Sequence, residues 1–254
     1  ANLSSDACLI IFTPRSGGTA AAGGPGRDRR GQPLRPHDDT RMTSAVRLGL
    51  RANAGQFALL VVLNALVGAM VGLERSVLPL VGKDDFGLRS ISAILAFVVA
   101  FGAAKAITNL AAGALADRVG RKRLLVAGWA VALPIPLMIG LADSWWWIVA
   151  ANVLLGVNQG LAWSMTMVMK IDLAGPNRRG LALGLNEAAG YLGVAVAAFA
   201  TGALAANYAP RTVVWAGATV LIIAGLVASL AFAVCGREDH SGGGGAKDGD
   251  AGNI

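Results

Sequence analysis

Four ionisable side chains lie inside strongly apolar segments of this chain: Glu74, Arg75, Lys105 and Glu187. A charged group costs several kcal/mol in hydrocarbon, so it normally faces a polar cavity or an oppositely charged partner. In a cavity, such groups can bind a charged solute or relay a proton, and we take these four as candidates for a substrate or proton pathway. For Glu74 and Arg75 a second interpretation is equally open, because both lie near enough to a segment end to extend towards water.

Uncharged polar side chains accompany these charges at helical spacing. Residues three or four positions apart share one face of an α-helix. Asn109 follows Lys105 by one turn, and one face of the fourth apolar segment carries Asn152, Gln159, Trp163, Thr166 and Lys170. The pathway candidates drawn from these uncharged residues are Asn109, Asn158, Gln159 and Trp163.

Charged and polar residues of different segments reach a similar depth. With a rise of 1.5 Å per residue, Lys105 and Gln159 lie about 15 Å, and Glu187 about 12 Å, from the ends of their segments on one side of the membrane. We therefore predict that Lys105 and Glu187 interact, directly or through water, and that Gln159 or Asn158 completes the hydrogen bonds. A static pair that fixes helix register and a substrate or proton site are equally compatible with this prediction.

The elements that must position these residues are six apolar segments, each long enough to cross a hydrocarbon core of about 30 Å as a helix. An α-helix satisfies its backbone amides within one segment, as lipid requires. Composition agrees, since 55% of the residues are hydrophobic, 15% are charged and the mean hydropathy is +0.58. We predict an all-α membrane protein whose six transmembrane helices cover residues 57–80, 91–115, 124–141, 145–169, 181–205 and 213–234, with a kink at Pro134 and Pro136.

The apolar block divides the chain into three parts. A six-helix domain is expected at residues 52–236. A basic tail rich in Gly and Pro precedes it at residues 1–51, where we expect disorder and where Met42 is a plausible natural start. Residues 237–254 form a Gly-rich tail, which we predict to be flexible.

Basic residues are distributed unequally between the two sides of the predicted bundle. Ten lie near the helix ends on one side and three on the other, and Lys and Arg favour the cytoplasmic side. Both termini are therefore expected in the cytoplasm of a multi-pass protein of the cell (plasma or inner) membrane. The ten are Arg41, Arg47, Arg51, Arg118, Arg121, Lys122, Arg123, Lys170, Arg178 and Arg179, against Lys83, Arg89 and Arg211.

Three Gly-x-x-x-Gly pairs occur in the helices, and such pairs let helices approach closely. They are Gly68 with Gly72, Gly156 with Gly160, and Gly180 with Gly184. Ordinary glycine abundance is an equally good explanation, because the chain contains 34 Gly.

The loop between the second and third segments has an ordered motif, GALADRVGRKR at residues 113–123. Asp117 can favour a helix N-terminus, Gly120 permits a tight turn, and the cations remain at the membrane surface. This string resembles the signature loop of the major facilitator superfamily of secondary transporters. PNRRG at residues 176–180 and Gln159-Gly160 agree with the resemblance, which covers roughly residues 50–236.

The resemblance implies a fold and a function. The fold would be one six-helix half of the superfamily's architecture, built from two three-helix inverted repeats, with a C-terminal six-helix half or a second chain as its partner. The function would be transport of a small solute by alternating access, with proton coupling left open. The motif loop would control conformational switching through Gly113, Asp117, Arg118, Gly120, Arg121 and Lys122.

Two departures from the family pattern bear on the substrate. Gly156 stands where many proton-coupled members carry Arg, and the fifth segment has no Gly-Pro pair of the drug-antiporter type. Both departures weaken the assignment of this chain as a drug/proton antiporter.

Other function classes find less support in the sequence. The only histidines, His37 and His240, are in the tails, and the hydrolase strings Gly-x-Ser-Gly and His-Glu-x-x-His are absent. We therefore expect no enzyme activity, metal or cofactor. The net charge of +7 lacks an aromatic-basic stripe, so nucleic acid is not an expected partner. A six-helix module that assembles with another chain without transporting remains the alternative function.

Overall fold

The computed structural model describes residues 53–241, and the side chains from 235 to 241 are excluded from the description. The predicted N-terminal tail and residues 242–254 lie outside the described residues. Within them the α-helices are α1 (Ala54–Asp84), α2 (Ile91–Ile94), α3 (Ala96–Val119), α4 (Arg121–Ala132), α5 (Ile135–Gly140), α6 (Trp145–Ala174), α7 (Arg179–Ala205) and α8 (Pro210–Ser241).

Six spans are long and apolar enough to cross a membrane. They are α1, α3, the pair α4–α5, α6, α7 and α8, so all six predicted segments are confirmed. The predicted kink is confirmed too, because α4 ends at Ala132 and α5 begins at Ile135, with Pro134 between them. The sequence did not predict a separate short helix α2, which begins at Ile91 after Ser90, whose hydroxyl accepts the Ala93 N–H.

The spans pack in a pattern that has internal symmetry. The helix α1 packs on α7 and on α8, whereas α6 packs on α3 and on α4–α5. The helices α1 and α6 also contact each other, as do α4–α5 and α8. Exchanging the first three spans with the last three reproduces these main pairs, which is the arrangement expected of two three-helix repeats.

Two of the three glycine pairs lie at the closest helix contacts. A Cβ on Gly68 or Gly72 of α1 would collide with the backbone of α7, at Gly190 and Val194. A Cβ on Gly156 of α6 would come within 2.6 Å of the Phe101 carbonyl oxygen on α3. These glycines let the helix backbones touch.

The third glycine pair faces open space. Neither Gly180 nor Gly184 has an atom within 4 Å of a Cβ built on it. For this pair, general glycine abundance is the better explanation.

The helices α3 and α7 have one side that no described residue covers. Only Phe97, Phe101 and Ala112 of α3 are buried, and α7 buries only Ala182, Asn186, Gly190 and Thr201. The spans α4–α5 and α8 instead pack on each other, with Trp129 fully buried against the Gly225 position. In a membrane the uncovered sides of α3 and α7 must meet lipid or another protein.

Each end of the bundle is held by an arginine. At the basic end, defined by Arg118, Arg121, Lys122, Arg178 and Arg179, Arg121 at the start of α4 pairs with Asp172 near the end of α6. At the opposite end, the Arg211 Nε lies 2.8 Å from the Asp85 carboxylate. These contacts join the ends of different spans, and they are partly exposed, so each contributes little stability alone.

Candidate functional site

A polar cluster occupies the side of the bundle where α3, α6 and α7 come together, and Trp163 of α6 is at its centre. The Lys105 ammonium lies 4.6 Å from the centroid of the Trp163 ring. The indole N–H of Trp163 donates a 3.1 Å hydrogen bond to the Glu187 carboxylate. One indole therefore contacts a cation of α3 through its face and an anion of α7 through its edge.

Lys105 and Glu187 lie close enough to interact electrostatically, as predicted, but they do so across Trp163 and not as a direct ion pair. Neither of the two ion pairs among the described side chains joins these residues. The two charges are coupled electrostatically, but Trp163 mediates the contact between their helices. The physical reason is the packing, since α3 and α7 pack on different central helices, and a large side chain of α6 extends between them.

The prediction that Gln159 or Asn158 completes the hydrogen bonds between Lys105 and Glu187 is wrong. Gln159 is fully buried, and its amide donates a 2.6 Å hydrogen bond to the Val67 carbonyl of α1. The Asn158 amide donates a 2.9 Å bond to the Gly128 carbonyl of α4. Because each bond runs from a side-chain amide of α6 to a backbone carbonyl of another helix, these residues fix α6 against its neighbours.

A buried relay connects Glu187 to a second cation, Lys170. The Lys170 ammonium, at 0% exposure, donates a 2.7 Å hydrogen bond to the Asn186 side-chain oxygen. The Asn186 amide in turn donates a 3.0 Å bond to the Glu187 carboxylate. Lys170 and Glu187 therefore balance one another through a neutral amide, and the buried charge is accommodated.

Asn64 completes this relay from α1. It accepts a 3.0 Å hydrogen bond from the Thr166 hydroxyl and donates a 2.7 Å bond to the Asn186 carbonyl. The polar face predicted for α6 is confirmed by these contacts, because Gln159, Thr166 and Lys170 all bond towards α1 or α7.

The cluster continues towards α1 through aromatic and basic side chains. The Arg75 guanidinium lies 5.1 Å, and the Lys105 ammonium 5.8 Å, from the centroid of the Phe101 ring. On the other side, the Tyr191 ring contacts the Trp163 ring edge-on at 6.0 Å. Two cations and three rings therefore form a continuous surface across four helices.

The remaining pathway candidates lie beside the cluster or away from it. Asn109 is exposed on α3 and accepts a 3.0 Å hydrogen bond from the Ser164 hydroxyl. Glu74 is only 1% exposed and faces Asn152 of α6, so the idea that it extends to water is wrong. Its carboxylate oxygens have no hydrogen-bond partner among the described residues. Arg75, by contrast, is exposed.

The motif loop forms a tight turn at the basic end. Gly120 has φ +94°, a conformation that favours glycine, and joins α3 directly to α4. Arg121 pairs with Asp172, and Lys122 lies 5.5 Å from the Phe232 ring of α8. Gly113 and Arg118 are exposed. Asp117 lies in the last turn of α3, and the first turn of α4 contains no acidic residue.

Sequence reasoning missed Asn64, Asn186 and Tyr191 as members of this cluster. Asn64 is an isolated amide in an apolar run, and Asn186 adjoins the charged Glu187. Both asparagines could have been selected from the sequence, because a buried amide in a membrane span needs a hydrogen-bond partner. Tyr191 gave no comparable signal, since an aromatic residue at that position also suits a lipid-facing surface.

Comparison with known proteins places this geometry in a family. The family model of the Major Facilitator Superfamily matches residues 53–250, which is most of the chain. The chain belongs to the Major Facilitator Superfamily. With six apolar helices, this superfamily member is a multi-pass membrane protein. Its six spans and their symmetric packing are those of one half of the superfamily fold.

Individual relatives cover parts of the same region. The 3-(3-hydroxy-phenyl)propionate transporter of Escherichia coli is 36% identical over 114 residues, 45% of this chain and 28% of the relative. The multidrug resistance protein MdtG of Citrobacter koseri is 31% identical over 163 residues, 62% of this chain and 39% of the relative. An uncharacterized MFS-type transporter of Mycobacterium tuberculosis is 34% identical over 137 residues, 52% of this chain and 32% of the relative. This superfamily member therefore spans well under two thirds of the length of these relatives.

Proposed function

We propose that this chain takes part in moving a small solute across the cell membrane by alternating access, as one six-helix half of a permease. The observation that carries the proposal is the cluster around Trp163, where α1, α3, α6 and α7 place charged and aromatic groups at membrane depth. Charges at that depth are costly unless they serve a pathway or have partners. The family and the transporter names of the relatives support the same function.

The partner in this proposal is a second six-helix unit, either a C-terminal half or another chain. It would cover the uncovered sides of α3 and α7, and the cluster would then lie at the interface of two rocking bundles. The relatives' names differ in the solute, one naming a hydroxyphenylpropionate and another multidrug resistance. The substrate must therefore be inferred from the site.

Two further roles belong to the proposal. Glu74 is the candidate for proton coupling, because a buried carboxyl without a hydrogen-bond partner can exchange a proton as its surroundings change. The motif loop is the candidate for switching, because Arg121 joins the start of α4 to the end of α6 at the membrane surface. Both termini lie in the cytoplasm, and no step of this function requires a cofactor or bond chemistry.

Cysteine accessibility tests alternating access directly. In a chain whose Cys8 and Cys235 are replaced by Ser, Tyr191→Cys places one thiol beside Trp163. We expect an impermeant maleimide to label it in both right-side-out and inside-out vesicles, since alternating access opens the cluster to each side in turn. Asp117→Asn should change the ratio of the two labelling rates, because the loop biases the two states.

The control is Val220→Cys, an exposed apolar position in α8 far from the cluster, which should stay unlabelled from both sides. Labelling of position 191 from one side only would contradict alternating access. That result would favour the alternative function, a six-helix module that assembles without transporting.

A further inference from the structure

The cluster carries more positive charge than its carboxylates balance. Lys170 is paired with Glu187 through Asn186, which leaves Arg75 and Lys105. Glu74 is buried beside Asn152 and interacts electrostatically with Arg75, and counting it leaves three cations against two carboxylates, a surplus of one positive charge. The surplus lies on the uncovered side of the bundle.

Arg75 and Lys105 have unused hydrogen-bonding capacity. An ammonium offers three N–H donors and a guanidinium five. Within residues 53–241, Lys105 and Arg75 make no hydrogen bond or ion pair, and their contacts are with the faces of Phe101 and Trp163. Lys105 lies about 14 Å along α3 from its first residue, well inside a hydrocarbon core of about 30 Å. An ammonium there is stabilised by an anion, and the Glu187 carboxylate that lies nearby also balances Lys170.

The side chains around Lys105 also indicate the chemical character of the rest of that anion. Trp163 is half-buried, and Tyr191, 66% exposed, meets it at an interplanar angle of 72°. Two rings at this angle form a corner that can accept a third ring by stacking on one and edge contact with the other. An aromatic or similarly flat apolar group fits beside the cations.

From this combination we propose that Arg75, Lys105, Trp163 and Tyr191 form a binding site for a small aromatic carboxylate, with Lys105 contacting the carboxylate and the two rings contacting its body. The proposal rests on the proposed transport function and names the substrate class of the same site. A cationic solute is disfavoured, because the Glu187 oxygen that faces the cluster already accepts two N–H groups. A neutral solute would leave the surplus positive charge of the cluster unbalanced.

Direct binding tests this assignment. The purified full chain in nanodiscs of phosphatidylcholine alone excludes anionic lipid headgroups as the ligand. Radiolabelled phenylacetate and 3-phenylpropionate are the probes, and their amides, phenethylamine and acetate are the competitors. We expect saturable binding of at least one carboxylate, with its amide and acetate each weaker by about tenfold or more.

Variants locate the contact. Lys105→Gln should weaken carboxylate binding by about tenfold or more, whereas Lys105→Arg should retain it within about threefold, because the charge-assisted bond survives. Lys83→Gln is the matched control, an exposed lysine outside the cluster, and should leave binding unchanged. Trp163→Phe should keep the preference for a ring over acetate, and Trp163→Ala should lose it. Thermal unfolding of each variant verifies that it is folded.

Three results would overturn the proposal: equal binding of acid and amide, stronger binding of phenethylamine, or carboxylate binding that Lys105→Gln leaves intact. The thiol at position 191 separates this failure from failure of the transport function. If labelling occurs from both sides but the unsubstituted chain binds no carboxylate, the substrate class is wrong while alternating access stands. If the unsubstituted chain binds a carboxylate but labelling is one-sided, the site binds anions without transporting them.

Discussion

Individual polar residues in this bundle are held by specific partners on other helices. Asn186 shows this most clearly, because its side chain accepts from Lys170 and donates to Glu187 while its backbone carbonyl accepts from Asn64. In a low-dielectric interior, removing one member of such a network leaves the others unsatisfied. A single amide therefore determines whether a fully buried ammonium is tolerated.

Replacing Asn186 by Leu should lower the free energy of unfolding in mixed micelles by about 3 kcal/mol, because Lys170 loses the hydrogen-bond acceptor that it has among the described residues. The double variant Lys170→Met with Asn186→Leu should lose less than Asn186→Leu alone. Asn207→Leu is the control, an exposed amide bonded only within its own turn, and should change stability by less than about 0.5 kcal/mol. A double variant as unstable as the sum of the single changes would contradict the pairing.

At the scale of elements, small residues decide which helices become neighbours. The pair Gly68 and Gly72 brings α1 against α7, and Gly156 and Gly160 bring α6 against α3. Since lipid is as apolar as the helix surfaces, close backbone contact supplies the attraction that the hydrophobic effect supplies in water. The glycine contacts also bring the helices that carry Lys105, Trp163 and Glu187 within reach of one another.

Gly68→Ala should destabilise the bundle by about 1–3 kcal/mol, because the added methyl group meets the Gly190 carbonyl and two backbones must move apart. Gly184→Ala is a matched control in a helix facing open space and should be neutral or stabilising by up to about 1 kcal/mol. Denaturation of both variants in the same micelles gives the comparison. Similar losses for the two substitutions would show that the α1–α7 contact is looser than described.

At the scale of the whole molecule, one end of the bundle is basic and the opposite end carries the Arg211–Asp85 pair. The charge asymmetry predicts that the basic end faces the cytoplasm. The two ends also differ in structure, since a tight turn at Gly120 joins α3 and α4 at the basic end, and Trp145 bonds to the Ala93 carbonyl at the opposite end. Orientation in the membrane would therefore place the motif loop inside the cell.

Single thiols at positions 118 and 83 test this orientation in the cysteine-free chain. An impermeant maleimide added to intact cells should label Lys83→Cys and spare Arg118→Cys, and inside-out vesicles should give the reverse. Both positions are exposed at helix ends, so each thiol serves as the control for the intrinsic maleimide reactivity of the other. Labelling of position 118 in intact cells would refute the orientation and, with it, a cytoplasmic location of both termini.

The sequence by itself determined the six spans and the family. Spans follow from local composition, because about 20 consecutive apolar residues must become a helix in lipid whatever surrounds them. The helical period also places Trp163, Thr166 and Lys170 on one face of α6, as the structure confirms. The motif at residues 113–123 identified the superfamily, and the match over residues 53–250 agrees.

Only the tertiary structure decided which residues meet across helices. Periodicity gives the direction of a side chain but not the neighbour it faces, so Trp163 between Lys105 and Glu187 was not predictable. For the same reason Gln159 bonds to Val67, and Glu74 is buried where a position near the helix end had suggested water. Gly68 and Gly184 belong to identical sequence patterns, yet only Gly68 lies against another backbone, because contact depends on which helix packs there.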